Sequence, residues 1–228
     1  MGAEFSREVE KQARLYQDRT WNDYVNSLGQ KIVSVCDRQN LQYHFKVIDD
    51  STTVNAFALP GGYVYVYTGL LLRADNEAEV IGVMAHEVGH VVCKHGVRRL
   101  STIYGYQILI AIALGKNPDQ LRQMAADILG GLGMLKYGRE NEFEADRCGI
   151  KYLYALGYDP KAFITFFEKL EGISQRSPSK VDKWLSTHPQ TNDRIKQAEQ
   201  QIAQYPPKQN AVLNTEYYVM MRKELYQK

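Results

Sequence analysis

Apolar positions in the first third of the chain recur at helical spacing. Phe5, Val9, Ala13 and Tyr16 form one narrow stripe, and Trp21, Tyr24, Val25, Leu28, Ile32 and Val35 form a second. Two helices are therefore predicted over residues 4–20 and 21–38. The period then falls to two. Tyr43, Phe45 and Val47 alternate with His44, Lys46 and Ile48, and Asp49-Asp50-Ser51 marks a turn. Val54 to Leu59 reads as a short strand ended by Pro60-Gly61-Gly62. Tyr63 to Thr68 reads as another, with Tyr63, Tyr65 and Tyr67 on a half-buried face and Val64 and Val66 on the other. Tight turns between three strands predict an antiparallel meander.

From Asn76 onward the helical period returns. Asn76 is a predicted cap, with Glu77 and Glu79 in the first turn, and Val80, Val83, Met84, Val88, Val91 and Val92 carry the buried stripe. Residues 101–114 are apolar, and Pro118 opens a helix running towards Gly130-Gly131-Leu132-Gly133. Further helices are expected from Arg139 to Leu156, after Asp159-Pro160, over 190–204 and over 215–226, with a loop at 173–189. The plan is α+β, mostly helical, in one domain spanning residues 1–228.

Composition narrows the class. With 228 residues, 44% apolar and 24% charged, the chain buries a full core without disulfide staples. A net charge of +2 offers no field for gripping nucleic acid. Three cysteines exclude a disulfide scaffold. The longest apolar run, Ile108 to Leu114, is far short of a transmembrane segment.

The chemistry concentrates at His86-Glu87-Val88-Gly89-His90. On a helix, His86 and His90 project from one face, one turn apart, as two ligands of a tetrahedral Zn²⁺ would. Glu87 lies about 100° around the helix, where it can deprotonate a water on the open side of the ion. Gly89 costs about 1 kcal/mol relative to Ala inside a helix, which makes sense if another element packs closely there. A third ligand should come from the acidic segment Arg139 to Asp146. Glu142 and Asp146 share a face, and that pairing would supply a ligand and an acceptor for the N–H of a metal-bound histidine. From spacing alone Glu140 and Glu144 compete, both read as solvated helix-surface charges.

These residues carry a resemblance. Four blocks occur in order: Asn55-Ala56-Phe57-Ala58-Leu59-Pro60-Gly61-Gly62 with Gly69-Leu70; His86 to His90; Glu142-Phe143-Glu144-Ala145-Asp146; and His188-Pro189 followed by Arg194-Ile195. The chain resembles soluble bacterial members of the zinc metallopeptidases related to HtpX and the Ste-type CAAX endopeptidases, within the gluzincins. Gly138 departs from the serine often found there. The resemblance implies a zincin-like catalytic domain with one Zn²⁺ per chain, held by His86, His90 and Glu142, with Asp146 behind them. It implies Glu87 as general base and a small three-stranded antiparallel sheet beside the active-site helix. The edge strand, through Asn55 and Ala56, would pair with extended polypeptide substrates. His188 becomes an oxyanion donor or a plug on the zinc, and Arg194 an active-site contact or a structural ion pair.

Other residues read plainly. His95 suits the dipole at the end of the active helix. Cys93 and Cys148 are expected as free buried thiols, with a mutual disulfide as the alternative. Residues 101–136 suggest a cover over the cleft, with a possible envelope or membrane-surface contact. That segment also motivates an alternative function, a chaperone-like client-binding module with a covered zinc site. The start Met-Gly-Ala-Glu-Phe-Ser-Arg-Glu lacks a basic, apolar leader. Taken with the resemblance, this fits a mature exported domain, so a periplasmic or envelope location is expected, with cytoplasm as the alternative.

Overall fold

A computed structural model describes residues 2–131, 135–176, 179, 181–189 and 192–225. Two helices, α1 (Gly2–Gln12) and α2 (Arg19–Val35), precede strands β1 (His44–Ile48), β2 (Ala56–Leu59) and β3 (Tyr63–Tyr67). Helices follow: α3 (Thr68–Arg73), α4 (Glu77–Val92), α5 (His95–Ala113), α6 (Pro118–Gly130), α7 (Arg139–Ala155), α8 (Lys161–Arg176), α9 (Asp182–Thr187), α10 (Asn192–Ile202) and α11 (Glu216–Leu225). The α+β class is as expected. The expected loop at 173–189 is instead partly helical, comprising the end of α8 and all of α9. Val181 and Trp184 are buried there and anchor the short helix.

The sheet departs from the expected meander. Its order is β1-β3-β2, with β3 antiparallel to β2 but parallel to β1. Gly61 and Gly62, at φ 95° and 90°, make the tight β2–β3 reversal. The β1–β2 connection also reverses the chain, but it leaves a slot between the two strands that β3 fills. Asp50 shapes this connection by accepting the Thr52 and Thr53 amides at 3.0 and 3.1 Å. A turn signal records that the chain reverses. It does not record whether the reversed strand pairs at once.

Both faces of the sheet are covered. Phe45, Val47, Ala56, Ala58, Val64 and Val66 join α2, α4 and α8 in the larger core. Ile48, Phe57, Leu59, Tyr65 and Tyr67 pack under α1, α5 and α6. On the tyrosine face Tyr65 and Tyr67 are thus fully buried, and Tyr63 at its end is partly buried. Tyr65 donates to Glu10 Oε1 at 2.8 Å, and its oxygen lies 2.8 Å from Ser6 Oγ.

Helix α4 runs through the centre, capped by Asn76, which accepts the Glu79 amide. It is buried on all sides from Glu77 to Val91, not along one stripe. The α5–α6 pair lies on the tyrosine face. α5 is broken at Gly105 (φ 77°) and presents Ile103, Tyr106, Ile110 and Leu114 outward. Leu132 and Gly133 of the expected flexible return lie outside the described residues. No helix of the described residues is long and apolar enough to cross a membrane.

Candidate metal centre

Each contributing side chain is delivered by a different local device. The α4 period stacks His86 above His90. Helix α7 crosses α4 at Gly89, where an added Cβ would meet Ala145 O and Cys148 Cβ at 3.0 Å. The close packing expected at Gly89 is therefore present, and it brings Glu142 and Asp146 of α7 against the histidines. His188 caps α9, its N–H bonded to Trp184 O at 2.7 Å and its ring against Trp184 at 4.5 Å. Arg194 comes from the first turn of α10.

These groups converge. His86 Nε2 lies 3.0 Å from His90 Nε2 and 3.3 Å from His188 Nδ1. Glu142 Oε1 lies 3.2 Å from His188 Nδ1 and 3.5 Å from His90 Nε2, and Glu142 Oε2 is 3.6 Å from His86 Nε2. Ligands about 2.0–2.1 Å from one tetrahedral ion stand about 3.3 Å apart. The separations above run from 3.0 to 3.6 Å, and the donor atoms of all four lie within 4.8 Å of one another, so the donor set fits an ion of zinc's size and preference. All four are at most 1% exposed.

Behind the donors, Asp146 Oδ1 is 2.9 Å from His86 Nδ1. Arg194 clamps Asp146 through Nε and Nη2, at 2.7 and 2.6 Å, and reaches Glu142 Oε2 at 2.8 Å. Arg194 therefore forms ion pairs with Asp146 and Glu142 beside the donors. Glu87 Oε1 is buried, without a hydrogen-bond partner among the described residues, and 3.4 Å from His188 Nε2.

The electrostatics match a cation. Glu87, Glu142 and Asp146 are buried around one guanidinium. Fully ionised, they carry two uncompensated negative charges, the charge of one divalent ion. Burial pushes the Glu87 carboxyl up, and Glu142 adds to this against the pull of His188 and His86. Burial opposes charge on Glu142 too, but His188 and Arg194 outweigh it and hold that carboxyl low. His90 is pushed well down, by burial first and then by His86 and His188, which leaves it neutral with a lone pair to give. His188 is pulled up, because Glu142 and Glu87 overcome its burial.

Three further residues stand here in positions that the sequence did not indicate. Tyr137 stacks on His90 with centroids 4.1 Å apart, and no local signal marked it. His95, read as a dipole cation, is fully buried, and its Nδ1 lies 2.7 Å from His90 Nδ1. Glu144, read as a surface charge, meets His95 Nε2 at 2.8 Å. The donor atoms of Cys93, His95 and Glu144 also lie within 4.8 Å of one another. Cys93 and Cys148 are free thiols, both partly buried.

The predicted substrate strand adjoins the centre. β2 has β3 on one side only, and a crevice lined by Ala58, Leu59, Pro60, His90 and Tyr137 separates its end from α4. Asn55 and Ala56 are buried, Ala56 within the larger core. A larger cavity of about 650 Å³, bordered by Tyr154, Ile164, Ile202 and Tyr205, contains none of the donors.

Comparison with known proteins follows the same residues. The model of Peptidase family M48 matches residues 20–202. The beta-barrel assembly-enhancing protease of Escherichia coli K12 is 33% identical over 216 residues, covering 91% of this chain and 44% of its own length. That of Yersinia pestis is 31% identical over 231 residues, covering 97% and 47%. The mitochondrial metalloendopeptidase OMA1 of Schizosaccharomyces pombe is 29% identical over 177 residues, covering 78% and 52%. The chain thus spans about half the length of these relatives. With a family match across most of its length, and His86, Glu87, His90 and Glu142 gathered inside that match, the chain belongs to peptidase family M48.

Proposed function

We propose that this chain is a zinc metalloendopeptidase domain that hydrolyses extended or unfolded polypeptide segments. The observation that carries the reading is the convergence of His86, His90, Glu142 and His188, donor atoms within 4.8 Å of one another, with the Glu87 carboxylate beside them. When bound, the ion supplies Lewis-acid polarisation of the scissile carbonyl and of water. Glu87 takes the proton of the attacking water on a carboxylate oxygen and returns it to the leaving nitrogen. Asp146 orients His86, and Arg194 holds Asp146 and Glu142 in register. The free side of β2 offers backbone groups to an extended substrate near Asn55 and Ala56, which selects for unfolded segments rather than side chains.

His188 has two readings, and the distances favour one. Its Nδ1 stands at the fourth corner of the donor set, where an open catalytic site keeps a water. With an ion bound in this conformation, His188 would act as a plug, and hydrolysis would require it to swing out. That closure, with every donor at most 1% exposed, is also what supports the second reading, a client-binding module with a covered, weakly proteolytic site. The relatives named as assembly-enhancing proteases support polypeptide partners for this chain as well.

The test pairs metal analysis with cleavage of casein or a reporter peptide. Glu87→Gln should keep one zinc per chain and lose hydrolysis, while Glu142→Ala should lose zinc affinity. Full activity in Glu87→Gln would sink the mechanism. Suppression of client aggregation without any chelator-sensitive cleavage would favour the second reading.

A further inference from the structure

Two buried imidazoles meet behind the metal cluster. His90 Nδ1 is 2.7 Å from His95 Nδ1, and His95 Nε2 is 2.8 Å from Glu144 Oε2. The meeting is built by the backbone. Lys94, at φ 58°, is the non-glycine residue with positive φ among the described residues. It ends α4 abruptly and turns the first residue of α5 back towards His90. Such a conformation persists where the surroundings require it.

The protons on this chain have one consistent arrangement. A neutral imidazole carries a single N–H. His90 presents Nε2 to the cluster as a lone-pair donor, so its proton sits on Nδ1 and is donated to His95 Nδ1. His95 must then carry its own proton on Nε2, where Glu144 accepts it. We propose that His95 and Glu144 are positioning residues that fix the tautomer and ring orientation of His90, so that Nε2 faces the metal. The proposal rests on the metallopeptidase reading above.

The arrangement mirrors the one behind the other histidine. His86 Nδ1 faces Asp146, which Arg194 holds. Helix α7 therefore supplies a carboxylate behind each histidine ligand: Asp146 directly for His86, and Glu144 through His95 for His90. The two supports differ in exposure. The Asp146 side chain is 5% exposed, whereas the Glu144 side chain is 40% exposed and has Arg98 at 3.8 Å. Cys93, His95 and Glu144 could be read as a second ion site. However, 2.8 Å is a hydrogen-bond distance, shorter than the roughly 3.3 Å between ligands of one tetrahedral ion.

The experiment measures zinc affinity by competition with a chromophoric chelator, and the visible absorption of the cobalt(II)-substituted protein. His95→Phe keeps the ring and removes the acceptor. It should weaken zinc binding about 10–100-fold and shift the cobalt bands. Peptide KM should hold while kcat falls. His95→Asn, whose amide oxygen can still accept from His90, should recover most of the affinity. Glu144→Ala should weaken binding less than His95→Phe, and Glu144→Gln, which keeps an acceptor, should restore it. If His95→Phe fails to fold, Glu144→Ala at its partly exposed position carries the test alone.

The proposal is overturned if His95→Phe, or Glu144→Ala in its place, binds zinc within about twofold of the parent with an unchanged cobalt spectrum. It is overturned if Asn is no better than Phe, because the loss is then one of packing. Two zinc equivalents, with a thiolate-to-cobalt band lost in Cys93→Ser, would overturn it in favour of a second ion site. A parent that binds no zinc fails the metallopeptidase reading itself, and that result is read before any variant.

Discussion

Arg194 is 2% exposed, and its guanidinium touches two carboxylates. Taking such a group out of water costs several kcal/mol, which its fork of N–H donors repays only because Asp146 binds it at two points. Arg194→Met leaves Glu142 and Asp146 buried without their counter-charge. The chain should lose about 3–5 kcal/mol of stability in urea unfolding of the metal-free protein. Arg194→Lys should recover only part, since an ammonium cannot bind both Asp146 oxygens in one plane. At this scale the chemistry-bearing residue types were readable in the chain, but their pairings were not. Arg194 and Asp146 are far apart in sequence, and nothing local to either one names the other.

Helices α4 and α7 form the element pair on which the centre depends. Their separation is set at Gly89 by the Ala145 backbone, and at Gly149 of α7 an added Cβ would meet the His86 backbone nitrogen at 3.3 Å. Gly89→Ala would gain about 1 kcal/mol in helix propensity but incur about 1–3 kcal/mol of overpacking against a carbonyl that cannot rotate away. The expected outcome is a net loss of about 1 kcal/mol in denaturant unfolding, together with weaker zinc binding, because the same spacing sets the distance from His90 to Glu142. Gly82→Ala on the same helix is the control. Its new methyl meets the flexible end of Leu153 at 3.3 Å, so zinc affinity should be unchanged.

For the whole molecule, the proposed metal site predicts that metal and stability are coupled. The donors come from α4, α7 and the end of α9, so an ion that binds only the folded state holds together segments up to a hundred residues apart. With free zinc at a hundredfold over its Kd, the gain is about 2.7 kcal/mol. For a chain of this length each kcal/mol moves the melting temperature by about 2–4 °C, so chelation should lower it by about 5–10 °C. Glu142→Ala should show little chelator response in the same thermal scan.

Short-range physics was readable in the sequence alone. The His86–His90 spacing, the Asn76 cap, the need for a close neighbour at Gly89 and the alternation of residues in β3 each depend on a few adjacent residues, and each is present in the fold. Residue patterns left Glu140, Glu142 and Glu144 as competing ligands. A helix shows a charge on every face, and only the neighbour it packs against decides which face matters. The family resemblance favoured Glu142; the crossing of α7 over α4 places it among the histidines and turns Glu144 towards His95. The same limit explains the mixed sheet and the buried tyrosine face. Strand order and the second covering layer are set by which distant surfaces bury the most apolar area together, and no local period records that.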